Sequence, residues 1–175
     1  RRLARCCRAL CGDLSRIDDK GRVMRVLLIG GRGFIGGHLA TRLRQAGDIV
    51  RVIDKGEDFV PLLNEVDAVV HLACETTPGA SLRAPTRELG NLELGLRLAE
   101  ALLAYPRVRL LFVSSGGTVY GETHDAPVRE DKVLAPLSFH GAGKAALELF
   151  FGVFAPLVAR VAFVDPVKDG KDKRE

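Results

Sequence analysis

Apolar and polar positions along this chain follow two rhythms. Short, nearly unbroken apolar runs fall at residues 23–29, 48–54, 67–73, 109–115 and 157–164. Each is too short for a core helix and rich in Val, Leu and Ile, as strands buried on both faces are. Between them the apolar spacing lengthens to three and four. Residues 38–46 carry Leu39 and Leu43, and Gly47 is a helix stop. Residues 57–65 hold a brief helical stretch, and residues 87–103 a long one with Leu89, Leu92, Leu96, Leu98, Ala99, Leu102 and Leu103. Residues 143–155 predict a last helix, ended near Pro156. Residues 76–85 and most of 118–136 read as loops. Alternating strands and helices predict an α/β chain with a doubly wound parallel sheet of about five or six strands. Only 12 residues separate Asp54 from Asp67. That is too short for an extra strand and helix, so one strand fewer than six is expected. Right-handed crossovers then bring Gly30, Asp54, Leu72-Ala73 and Ser114-Ser115, all strand ends, to one cleft.

The first strand runs into Gly30-Gly31-Arg32-Gly33-Phe34-Ile35-Gly36. Strand, glycine turn and helix start in this order form the Rossmann-type geometry that receives a dinucleotide pyrophosphate. Gly30 and Gly33 are expected to take backbone angles closed to other residues and to leave no Cβ before the phosphates. Gly36 lets the helix lie close to the strand. The N–H groups of the helix start, at Phe34 and Ile35, face the anion with the positive end of the helix dipole. Asp54 ends the second strand 18 positions after Gly36, near the spacing at which a carboxylate takes the adenine ribose hydroxyls. A carboxylate there favours NAD. Arg32 with Lys55 is the opposing signal, since two cations accept the extra phosphate of NADP.

Charge narrows the partners. The net charge is +4, but residues 1–23 hold seven basic and three acidic residues, and the other 152 are balanced at 19 each. No basic face for nucleic acid is implied. No apolar run approaches the roughly 20 residues that span a bilayer. Met24, the only methionine, directly precedes the first strand. Residues 1–23 therefore read as a basic extension outside the fold: upstream sequence, part of a longer protein, or a targeting segment. Residues 24–166 read as the NAD-binding domain and 167–175 as a charged tail. Cys6, Cys7 and Cys11 lie in the extension without a complementary pair to complete a metal site. Cys74, at an apolar strand end, reads as a small core residue. Cysteine usage makes a reducing cytoplasm the default.

These residues together resemble the extended short-chain dehydrogenase/reductases, and among them the NAD-dependent epimerase/dehydratase family acting on nucleotide sugars. The resemblance rests on the glycine run, on Asp67-Ala68-Val69-Val70-His71-Leu72-Ala73, on Thr76-Thr77-Pro78-Gly79-Ala80-Ser81, on Asn91, and on Ser114-Ser115-Gly116-Gly117-Thr118-Val119-Tyr120-Gly121. The last two stretches look like sugar-nucleotide 4-epimerases. The resemblance covers about residues 24–166. It implies NAD as cofactor, a nucleotide sugar as substrate, and hydride transfer at a sugar hydroxyl carbon. It also implies cofactor contacts from Leu72, Ala73, Asn91, Ser114 and Lys144, and a homodimer formed through helices beside the cleft.

Two departures from the family's pattern bear on activity. The family's Tyr-x-x-x-Lys pair appears here as His140 and Lys144, so the phenol is replaced by an imidazole. His140 is then either a substitute base or a helix-start residue without a proton-transfer role. Lys144 is either its partner or a solvated surface lysine. The family's further hydroxyl falls on Gly116, leaving Ser115 and Thr118 to supply it, with Ser114 close by on the strand. The second departure is expected past Pro166, where nine residues of the given sequence remain: the family's smaller substrate domain is expected to be missing. Three readings remain open: the cofactor domain of an epimerase or dehydratase, a non-catalytic NAD-binding module, or a truncated product without a stable independent role.

Overall fold

The computed structural model describes residues 23–54, 56–122, 128–129 and 131–153, and the backbone of 157–161. Expectations for residues 1–22, including Cys6, Cys7 and Cys11, for Lys55, and for residues 162–175 lie outside the described residues.

The apolar runs become five strands: β1 (Arg25–Ile29), β2 (Ile49–Ile53), β3 (Ala68–His71), β4 (Arg109–Ser115) and β5 (Leu157–Val161). All pair in parallel, in the order β2-β1-β3-β4-β5. Alternate residues face opposite sides of a strand, and each side here has its own core. Val26, Leu28, Val70, Leu111 and Val113 pack with Leu39, Ala40 and Leu43 of α1 (Phe34–Gln45). Leu27, Ile29, Val69 and Phe112 pack on the other side, against Phe59 and Leu63, against Leu98 and Leu102 of α3 (Glu88–Leu103), and against Leu147 and Phe151 of α4 (Phe139–Gly152). The sheet is thus covered on both faces, the Rossmann-type arrangement expected. A 3-10 helix, Val60–Glu65, replaces a full helix between β2 and β3. This short crossover leaves no room for a further strand beyond β2, and the sheet has five strands among the described residues.

Three expectations need correction. The segment read as a loop at 76–85 contains helix α2 (Pro78–Arg83). Thr77 Oγ1 accepts the Ala80 N–H at 3.3 Å, and Pro78 opens the helix. Thr and Pro mark a helix start as readily as a loop. The helix expected from residue 143 begins at Phe139, because Ser138 caps it by accepting the Gly141 N–H at 3.0 Å. His140 therefore sits in its first turn. β1 begins at Arg25, and Val23 is 57% exposed.

Candidate functional site

The strand order reverses direction between β1 and β3, and open α/β sheets leave a crevice at the strand ends at such a point. Ile29 O, ending β1, accepts N–H groups from Leu72 and Ala73 at 2.8 and 2.9 Å. Gly30 follows at φ +88°, and a Cβ there would lie 2.6 Å from Ala73 N and 2.7 Å from Ala73 Cα. Only glycine fits, on both conformation and space. Gly36 lies one turn into α1, where a Cβ would stand 2.5 Å from Gly30 O. Gly33 departs from expectation. Its φ of −68° is open to any residue, so only Gly30 needs the left-handed backbone. The α1 N-terminus has no side-chain cap and no acid in its first turn.

Asp54 reaches this turn, and its Oδ2 accepts the Arg32 N–H at 3.0 Å. The Arg32 guanidinium pairs with Glu57 and lies 3.6 Å from Asp54 Oδ2. Glu57 also accepts the Asp54 N–H at 2.9 Å. The hydrogen bond and charge of Arg32 hold the Glu57 carboxyl below its usual range. Glu57 escaped the sequence reading because nothing in its local pattern points back to a loop 25 positions earlier.

A second cluster joins β3, α2, α3 and α4. Asn91 Oδ1 accepts the Glu75 N–H at 2.9 Å, while its Nδ2 donates to Thr76 Oγ1 at 3.1 Å and to Glu88 Oε2 at 2.8 Å. His140 Nδ1 lies 3.1 Å from Thr76 Oγ1 and 3.6 Å from Cys74 Sγ, and its main-chain N–H donates to Ser81 Oγ at 3.0 Å. Cys74 is thus no apolar core residue. It belongs to a polar cluster at the end of β3.

Lys144 is 7% exposed, so the solvated reading is wrong. Its Nζ donates to Val113 O at 2.9 Å and sits 4.8 Å from the Phe112 ring centre. Burial lowers its pKa, opposed by the charges of Cys74, Glu88 and Glu148. Ser114 donates its hydroxyl to Glu148, on the α4 side of the sheet. Ser115 is half-buried, and Thr118 Oγ1 is a buried hydroxyl oxygen without a hydrogen-bond partner. His71 is 1% exposed, with neither ring nitrogen hydrogen-bonded. Its ring packs 5.5 Å from Phe112 and 6.0 Å from Phe151, centre to centre. Among the described residues no group of three or more His, Cys, Asp or Glu is arranged to hold a metal. None of the described helices is long and apolar enough to cross a membrane.

The sequence model of the NAD dependent epimerase/dehydratase family matches residues 26–152. The chain is 30% identical to UDP-glucose 4-epimerase 3 of Oryza sativa subsp. japonica, covering 75% of this chain and 45% of the relative. Among solved structures it resembles the UDP-glucose 4-epimerase of Thermus thermophilus in complex with NAD. That likeness has a TM-score of 0.68 and 30% identity, over 75% of this chain and 51% of the other. It also resembles TunA, a NAD dependent NDP-hexosamine 5,6-dehydratase, with a TM-score of 0.70 and 30% identity over 78% and 53% of the two chains. The chain spans about half the length of these relatives.

Proposed function

The chain belongs to the NAD-dependent epimerase/dehydratase family, and we propose that it binds NAD at the β1–α1 turn as the cofactor unit of nucleotide-sugar chemistry. The turn carries this reading. Gly30 is pressed on the Ala73 backbone, and the α1 N-terminus offers main-chain donors with no cap or acid to compete for them. A pyrophosphate is the anion suited to both. Gly30, Gly33, Phe34, Ile35 and Gly36 hold it, with Arg32 at the rim. Asp54 takes the adenine ribose, its Oδ1 outside the bonds to the loop. Leu72, Ala73, Asn91, Ser114 and Lys144 flank the remainder, over residues 24–166.

NAD is favoured over NADP because Arg32 is already paired with Glu57 and Asp54. A 2′-phosphate would meet two carboxylates and a cation already engaged. Bound NAD supplies a hydride acceptor. On the protein side, His140 Nδ1 is held by Thr76 and Cys74, and Lys144 Nζ by Val113 O. This supports binding without turnover. The rival reading keeps Ser115, Thr118, His140 and Lys144 as the groups that move a sugar hydroxyl proton. The unpartnered Thr118 Oγ1 favours it. A second copy of the chain is the proposed partner at α3 and α4, where Leu89, Leu96, Leu103, Leu149 and Val153 are exposed.

Calorimetry with NAD and NADP tests the proposal. NAD should bind, and NADP should bind about tenfold more weakly or worse, a difference of about 1.4 kcal/mol. No heat with millimolar NAD would overturn it. NADH absorbance after adding UDP-glucose separates the two readings: a flat trace supports binding alone, and a transient rise supports proton and hydride transfer.

A further inference from the structure

Three charged side chains close a ring where the glycine turn meets the end of β2. Arg32 donates through both terminal nitrogens to Glu57, Nη1 to Oε2 and Nη2 to Oε1, the second at 3.2 Å. Glu57 Oε2 also accepts the Asp54 N–H at 2.9 Å. Asp54 Oδ2 in turn accepts the Arg32 N–H at 3.0 Å. Every bond in the ring runs from a nitrogen donor to a carboxylate oxygen. The chain brings Glu57 back onto the strand end by a turn. Glu57 N–H donates to Asp54 O at 3.1 Å, and Gly56 takes φ +85°.

The two carboxylates do different work in this ring. Asp54 keeps Oδ1 outside the bonds to the loop, and a carboxylate at the end of the second strand suits ribose hydroxyls. Glu57 is turned to Arg32 with both of its oxygens. A guanidinium fork is the group that takes a ribose 2′-phosphate, and it does so with the same paired N–H groups that Glu57 fills. Arg32 is therefore a phosphate receptor already occupied by an internal carboxylate.

We propose that Glu57 is the residue that sets cofactor choice, excluding NADP by occupying the Arg32 fork. The proposal rests on NAD binding at the β1–α1 turn and adds to it a cause of selectivity distinct from Asp54. Rejection of this kind comes from a competing internal partner, so removing that partner should admit the rejected ligand. With Glu57 neutral, the ring loses one negative charge and the fork is released.

The test is calorimetry of the full chain with NAD and with NADP, at one fixed ionic strength because exposed charges are screened by salt. Wild type is compared with Glu57→Gln, Arg32→Ala and the double variant. Arg32 and Glu57 side chains are 60% and 42% exposed, so these changes leave the core closed. In Glu57→Gln the ratio of the NADP Kd to the NAD Kd should fall about tenfold, the scale of one charge-assisted hydrogen bond. In the Arg32→Ala background the same change should lower the ratio by less than about threefold, because no fork is left to release. A ratio that falls by less than about threefold in Glu57→Gln overturns the proposal. So does an equal fall in both backgrounds, which would make Glu57 a direct repeller of phosphate. Loss of NAD binding in Glu57→Gln also overturns it, since Glu57 would then support the cofactor itself. NAD heat in wild type and Glu57→Gln with an unmoved ratio removes only the role of Glu57. No NAD heat in wild type overturns the binding reading and this proposal together.

Discussion

Protonation of His71 should set the acid limit of this fold. Its ring is 1% exposed, both nitrogens lack hydrogen-bond partners, and Phe112 and Phe151 flank it. Burial lowers its pKa from the ordinary 6.5 to about 3, with the Lys144 charge adding to the effect. The unfolded chain therefore binds a proton at this site across that window while the folded chain does not. The stability is fully present above pH 6.5 and is lost as pH falls from there toward 3. Each pH unit below the unfolded value costs about 1.4 kcal/mol, so pH 5.0 costs about 2 kcal/mol relative to neutral pH. That is a large share of a typical stability of about 5–15 kcal/mol. His71→Leu keeps the volume nearly constant and removes the titration. At pH 7.5 it should lie within about 1.5 kcal/mol of wild type, since volume-conserving core changes are tolerated. Urea unfolding of both proteins at pH 7.5 and pH 5.0 checks this. The gap between them should move about 2 kcal/mol in the variant's favour at the lower pH. Equal pH dependence in both would refute the reasoning, because every other group cancels in the comparison.

Gly36→Ala and Gly37→Ala form a matched pair. A Cβ at Gly36 would press on the Gly30 and Gly31 backbone, whereas at Gly37 it meets nothing within 4 Å. The first should destabilise by about 1–3 kcal/mol and abolish the NAD heat. The second should stabilise by up to about 1 kcal/mol. Similar denaturation midpoints for the two would count against the close packing of this turn. Leu96→Glu should convert a dimer to a monomer in sedimentation equilibrium without lowering the melting temperature, since Leu96 is 42% exposed. A wild-type monomer at the same concentration would refute the proposed interface.

The strands were legible because burial on both faces leaves an apolar run that polar loops interrupt. The run at residues 109–115 matches β4, Arg109–Ser115, end for end. The glycine turn was legible for a similar reason, since its demands fall within a few consecutive residues. Helix boundaries were less so. Ser138 and Thr77 are ordinary loop residues until their oxygens are seen to accept main-chain N–H groups. The site beyond the turn was legible only as residue types. His140 and Lys144 stood out only through the family resemblance, and their partners, Thr76 and Val113, lie 64 and 31 positions away.

From the sequence alone came the fold class, the range of about five or six strands, the glycine turn and the acid ending β2. Each depends on short-range period or spacing, which chain geometry converts directly into structure. Only the tertiary structure decided which side chains are buried together. Nothing near Cys74 in the chain announces the ring of His140, 66 positions on, and nothing near Lys144 announces that it is buried. Both follow from helix α4 packing its first turns against the ends of β3 and β4. There, loss of solvent and proximity of charge reset the chemistry that residue identity alone leaves open.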